Sequence, residues 1–261
     1  MPVQRRRTCA AVATWRRVAL VVPSPLALEQ LPIAIVGCGG LGVPAAWTLA
    51  FAGCRRLTLV DDDCIELSNL HRQVLYPYAA IGLSKAEQLA TALQARFGPL
   101  DIRCRQLRVT AGTVSAALNE CAAVVECTDD AASKFIVNDW LIANRARTGT
   151  IAAAIGRGGQ WFTVSRHTSC YRCLFQQPPD PEVVATCSVA GVLGPVVGAV
   201  GSWAARSLLA AVQGQPDAGR GALVRFSPRG LLRTPVGRAA DCICADASYR
   251  DGPAAHNRPH S

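Results

Sequence analysis

Ile33-Ala34-Ile35-Val36-Gly37-Cys38-Gly39-Gly40-Leu41-Gly42 decides the fold. A short run of branched and small apolar residues reads as a buried strand, and glycines at 37, 39 and 42 give the G-x-G-x-x-G spacing at its end. The first glycine permits a tight turn and the second lets backbone N–H groups approach phosphate oxygens. The third lets the next helix pack close to the sheet, with its positive N-terminal end toward the phosphates. The bland alternative is a glycine-rich turn that binds nothing.

Reading outward, Arg56–Val60 is a second strand that delivers Asp61, nineteen residues past Gly42. That is the place of an acid that hydrogen-bonds a ribose hydroxyl. Strand and helix then alternate: strands at Pro32–Val36, Ile102–Val109, Ala122–Thr128 and Ile151–Ile155, helices at Gly42–Ala52, Lys85–Phe97 and Ser133–Arg145. Such alternation predicts an α/β, Rossmann-like, mostly parallel sheet with helices on both faces. Beyond Gly156 the pattern changes, and Gln160–Ser165 and Leu223–Leu232 read as an antiparallel C-terminal extension. The expected organisation is an N-terminal segment 1–30, one nucleotide-binding domain 31–245 and a tail 246–261. Val189–Val212 is long enough to span a membrane. Its Arg206, Pro195 and four glycines favour a buried crossover helix instead.

Composition narrows the classes. Of 261 residues, half are apolar and 17% charged, which is globular and not disordered. The net charge of +9 suits an anionic partner, or simply a solvated basic surface, because the arginines are scattered. No basic stretch is interleaved with aromatics, so no nucleic-acid partner is expected. The apolar run Val18–Val22 is too short for a secretory core, so a reducing, cytoplasmic location is expected. Paired cysteines there favour metal over disulfide.

After Asp61 the chain continues Asp62-Asp63-Cys64-Ile65-Glu66-Leu67-Ser68-Asn69-Leu70-His71-Arg72-Gln73, then Leu75-Tyr76 and Gly82-Leu83-Ser84-Lys85, with Thr128-Asp129-Asp130 after the fourth strand. This run resembles the ThiF/MoeB adenylyltransferases, relatives of the ubiquitin-activating enzymes, from about Ile33 to Cys244. The resemblance implies ATP-dependent activation of the C-terminal glycine of a ubiquitin-like sulfur carrier ending in Gly-Gly, for thiamine or molybdopterin synthesis. It also implies an ATP site built from Gly37, Gly39, Gly40, Gly42, Asp61, Asn69, Arg72, Lys85 and Asp129, with Asp130 beside it. The residue types suit that chemistry. Arg72 offers a planar fork to phosphate oxygens, and Lys85 adds a point charge. Asp129, at a strand end, can hold Mg²⁺ against the phosphates, and Asn69 can bond nucleotide hydroxyls or phosphate.

Three features complete the expectation. Cys187 matches a cysteine on a loop over the family's active site; it is either a nucleophile toward the acyl adenylate or a small buried residue. Cys170 and Cys173 form a C-x-x-C that, with Cys242 and Cys244, implies structural Zn²⁺. Here the second pair is C-x-C, so extended backbone would strain the geometry, and the alternative is a degraded site filled by Asp241, Asp246 or nothing. The family's N-terminal arginine motif, which enters the partner's active site in a homodimer, has no counterpart in residues 1–32. Only seventeen residues follow Cys244, so sulfur is expected from a separate donor protein. Other readings are adenylation of a tRNA base or a peptide, a non-catalytic ATP-binding relative, and an NAD-dependent oxidoreductase. The last leaves Ser68–Gln73, Lys85 and Asp129 without a purpose.

Overall fold

The computed structural model describes residues 28–144, 147–166, 168–179, 191–215 and 219–245. Among them, eight strands form one sheet in the order β3-β2-β1-β4-β5-β6-β7-β8. Strands β1 (Pro32–Val36), β2 (Arg56–Val60), β3 (Asp101–Arg105), β4 (Ala123–Glu126) and β5 (Thr148–Ile155) are parallel. Strands β6 (Gly158–Val164), β7 (Ala222–Ser227) and β8 (Gly230–Pro235) continue the sheet antiparallel. This is the mixed α/β sheet that the alternation predicts.

One face carries α1 (Gly42–Phe51), α2 (Lys85–Phe97) and α6 (Gly194–Val212), packed through Leu49, Leu89 and Leu208 onto Ile33, Ile35 and Leu59. The other carries α3 (Val114–Leu118), α4 (Ala131–Ala143) and α5 (Tyr171–Leu174), packed through Phe135 and Trp140 onto Val36, Val124 and Phe162. Strands buried on both sides read as continuous apolar runs because neither face meets water. Each fully buried leucine contributes about 1.5–3 kcal/mol. Helix α6 is, among the described residues, the one helix long and apolar enough to cross a membrane. It lies against α1, β5 and β6, and a Cβ on its Gly201 would stand 2.2 Å from the Leu41 carbonyl oxygen.

Some boundaries differ from expectation, each for a local reason. The third strand ends at Arg105, not Val109, because its partner β2 ends opposite at Val60; the following residues turn away toward the sheet's carboxyl edge. Leu223–Leu232 is not one strand but a hairpin. Ser227 pairs with Gly230 around Pro228-Arg229, and Gly230 takes a φ of 112°. Helix α6 begins at Gly194, with Pro195 in its first turn, where a missing N–H costs nothing.

Candidate active site

The parallel strand order reverses between β1 and β4, and ligands bind in the crevice outside the carboxyl ends at such a switch point. A cleft of about 820 Å³ opens there. It is lined by the glycine loop, by Asp61 after β2, by Arg72 from the long β2–α2 connection, by Lys85 at the start of α2 and by Asp129 after β4. It runs on across the sheet to β6 and β7.

The loop's shape follows from its glycines. Gly37 has φ 87°, and a Cβ there would lie 2.8 Å from the Thr128 nitrogen. A Cβ on Gly42 would lie 1.8 Å from the Gly37 carbonyl oxygen, so Gly42 permits close packing of α1 and does not itself line the cleft. At Gly39 the nearest atom to a Cβ would be Gln73 Nε2 at 3.5 Å. The protein therefore leaves that position open to a ligand. Gly40 faces Val197 of α6 and the Arg72 stem.

Asp61 is tied to the loop. Its carboxylate accepts from the Cys38 N–H (2.6 Å) and the Asp63 N–H (2.8 Å). Burial raises its pKa, opposed by the Cys38 N–H and by Lys85. Lys85 is buried and donates to Asp63 at 2.7 Å. The Tyr76 hydroxyl lies 2.7 Å from the Cys38 carbonyl and 3.1 Å from that of Lys85, holding the connection against the glycine loop. Arg72 donates through one terminal nitrogen to the Ser68 carbonyl (3.1 Å), which aims the guanidinium stem past Gly40.

The structure thus gathers Gly37, Gly39, Gly40, Asp61, Arg72, Lys85, Asp129 and Asp130 around one cleft. Asn69 is placed otherwise. It is buried, Nδ2 donates to the Ser68 hydroxyl, Oδ1 has no partner among the described residues, and the side chain does not line the cleft. Cys187 lies outside the described residues.

Asp129 and Asp130 differ although adjacent. Asp129 is exposed at the cleft and accepts no hydrogen bond from the described residues. Asp130 caps α4, accepting from the Ser133 N–H (3.0 Å), the Ser133 hydroxyl (2.7 Å) and the Ala132 N–H (3.3 Å). Burial pushes its pKa up, but these donors outweigh it and the net shift is downward from 3.8. A depressed carboxyl pKa stabilises the fold above the unfolded value and loses that effect as pH falls through the folded one. Asp130→Ala is therefore expected to cost about 1 kcal/mol at neutral pH. The gap to the parent protein should close below about pH 4 in urea unfolding curves compared across pH.

Beneath the Thr128-Asp129 turn sits a buried ion pair. Lys134 Nζ donates to Glu126 Oε2 (2.7 Å), to the Thr128 carbonyl (2.6 Å) and to the Ala152 carbonyl (2.7 Å). Glu126 accepts in turn from the Thr128 N–H and hydroxyl. One ammonium thus locks the end of β4 to β5 and sets the turn that presents Asp129.

On the α5 side, Cys170, Cys173, Cys242 and Cys244 place their four sulfurs within 4.8 Å of one another. A tetrahedral ion with sulfur ligands at about 2.3 Å needs edges of about 3.8 Å, so the set fits. The second pair is not on extended backbone. Cys244 lies on a 3-10 turn, Ile243–Ala245, closed by the Ala245 N–H to the Cys242 carbonyl. That turn removes the strain expected for C-x-C. Burial raises the pKa of Cys170 and pushes Cys244 up to about 12. At Cys173 burial acts the same way but is outweighed, chiefly by the Ala239 N–H.

A model of the ThiF family matches residues 18–241. The chain belongs to the ThiF family. It is similar to the "Adenylyltransferase and sulfurtransferase MOCS3" of Drosophila ananassae, 36% identical over 213 residues, covering 81% of this chain and 47% of that protein. The protein of the same name from Culex quinquefasciatus is 34% identical over 234 residues, covering 86% and 52%. The chain spans about half the length of the curated relatives it matches. Among solved structures, E. coli MccB with AMPCPP and MccA superposes with a TM-score of 0.75 at 19% identity, covering 85% of this chain and 68% of that one. E. coli MccB with ATP gives 0.73 at 18% identity, covering 85% and 68%. These likenesses establish the shared fold.

For this ThiF-family chain, sequence reading passed over several residues that line the cleft: Gln73, Arg108, Lys134, Gln160 and Arg225. Gln73 was inside the quoted motif, and its buried Oε1 has no partner among the described residues. Lys134 left a trace, a charge beside Phe135 in a core-facing helix. Arg225 left none, because only strand register brings it to the cleft.

Proposed function

We propose that this chain is an ATP-dependent adenylyltransferase acting on the C-terminal carboxylate of a ubiquitin-like sulfur-carrier protein. The observation that carries this reading is the convergence of Arg72, Lys85 and Asp129, from separate segments, on the cleft lined by the glycine loop. Membership of the ThiF family and the names of the relatives support it. In the reaction a carboxylate oxygen attacks the α-phosphorus of ATP. The bond from that phosphorus to the bridging oxygen breaks, its electrons leave with pyrophosphate, and an acyl adenylate forms. No side chain acts as nucleophile in this step; catalysis is positioning plus charge stabilisation. Arg72 balances charge on the phosphates, and Lys85 does so while anchored by Asp63. Asp129 would hold Mg²⁺, which supplies further neutralisation there.

A homodimer and a separate sulfur donor belong to the same proposal. The test is ATP–pyrophosphate exchange with purified carriers ending in Gly-Gly or truncated before it. Exchange that requires the intact tail supports the proposal, whereas exchange with no carrier, or equally with truncated ones, refutes it.

The four cysteines are proposed to hold a structural Zn²⁺ that ties the segment after β8 to α5. One zinc per chain is expected by elemental analysis. Cys244→Ser should lose that zinc and melt at least several degrees lower, since a site with a missing thiolate no longer closes.

A further inference from the structure

The cleft is longer than the glycine loop requires, and its far end has its own chemistry. Register places Ala153 opposite Gln160, Gln160 opposite Arg225 and Arg225 opposite Leu232. Directly paired residues share a sheet face, so these four form one row across β5, β6, β7 and β8. The first three line the cleft. Tyr171 and Phe175 of the α5 segment line it as well and belong to the cluster on that same face, with Ile151, Phe162 and Leu223. At the inner end, Lys134 bridges the Thr128 and Ala152 carbonyls, so the Asp129 turn adjoins Ala153. At the outer end Leu232, 59% exposed, stands on the edge strand. The row is therefore a strip leading from the sheet edge to the acid beside the glycine loop.

Arg225 is exposed on this strip and forms no hydrogen bond or ion pair with any described residue. Its cross-strand neighbours Gln160 and Leu232 are neutral. An unpaired guanidinium beside an amide, in a groove that ends at a reaction centre for carboxylates, is a reader of a second carboxylate. We propose that Arg225, with Gln160 beside it, is a specificity residue that selects carriers bearing an acidic side chain a few residues before the C-terminal glycine. This rests on the carrier-activating function proposed above. Strand spacing of about 4.8 Å puts Arg225 about 14 Å, three spacings, from the β4 end that presents Asp129. An extended tail covers that span in about four residues at about 3.4 Å each. The acid read is thus three to six positions from the terminus.

The test uses the full chain in pyrophosphate exchange with one ubiquitin-fold carrier ending in Gly-Gly. Its tail carries Glu, Gln or Lys singly at positions three to six from the end. At one of these positions the Glu carrier should show a KM roughly fivefold or more below the Lys carrier with kcat unchanged, as for binding felt equally in ground and transition states. Arg225→Ala should level that difference and Arg225→Glu should invert it, both leaving the KM for ATP unchanged. Equal KM values across all tails, or an Arg225→Ala effect confined to the KM for ATP, overturn the assignment while the carrier-activating function stands. Absence of exchange with every carrier overturns both.

Discussion

Glu126→Ala will lower the stability of the fold by about 3–5 kcal/mol, among the largest effects expected of any single substitution outside the hydrophobic clusters. Lys134 would then keep an ammonium in the interior with only the Thr128 and Ala152 carbonyls as acceptors. Glu126 is wholly buried and Lys134 only 5% exposed, so the ammonium would stay largely out of water without its counter-charge. For a chain of this size the change corresponds to roughly 10 °C in melting temperature. The pair Glu126→Leu with Lys134→Met should recover much of the loss, because removing both charges leaves no unpaired ion. Urea unfolding of the two single variants and the double variant checks this. Strict additivity of the two single losses would show that the ion pair is not the unit that the geometry describes.

Arg72→Ala is expected to reduce pyrophosphate exchange about 10²–10³-fold, the usual effect of deleting one preorganised donor to developing charge. Asp129→Ala should do at least as much, and Mg²⁺ titration should show the loss as weakened metal dependence. Both residues are near the surface of the cleft, so melting temperatures should stay close to the parent's. Arg72→Lys separates charge from shape. A point ammonium cannot reproduce a fork held by the Ser68 carbonyl, so only part of the activity should return. Exchange at the parent rate in either alanine variant would remove the proposed chemistry from this cleft.

Much of the glycine-loop end of the cleft was legible because its signals are local. The spacing of Gly37, Gly39 and Gly42 and the position of Asp61 each concern a single turn or strand end, where backbone sterics restrict the residue type. Asn69 was chosen for its place in the motif; the 3-10 turn Leu67–Asn69 sets it beside Ser68, buried and off the cleft lining, with Oδ1 unpartnered among the described residues. Locality misled for the C-x-C pair, read as extended when hydrogen bonding closes it into a turn.

By itself, the sequence determined the alternating parallel core and the glycine loop, because helix and strand periods and turn sterics act over a few neighbours; Arg72, Lys85 and Asp129 were singled out by the resemblance of their motifs to the family. Tertiary structure alone decided that these segments meet in one cleft, that Asp130 caps a helix while Asp129 faces outward, and that Lys134 locks β4 to β5. It also brought the four cysteines together and Arg225 onto the strip that runs across β5 to β8. The Asp130 cap is made within three residues, but the others depend on strand order, register and contacts between residues far apart in the chain, which no local pattern encodes.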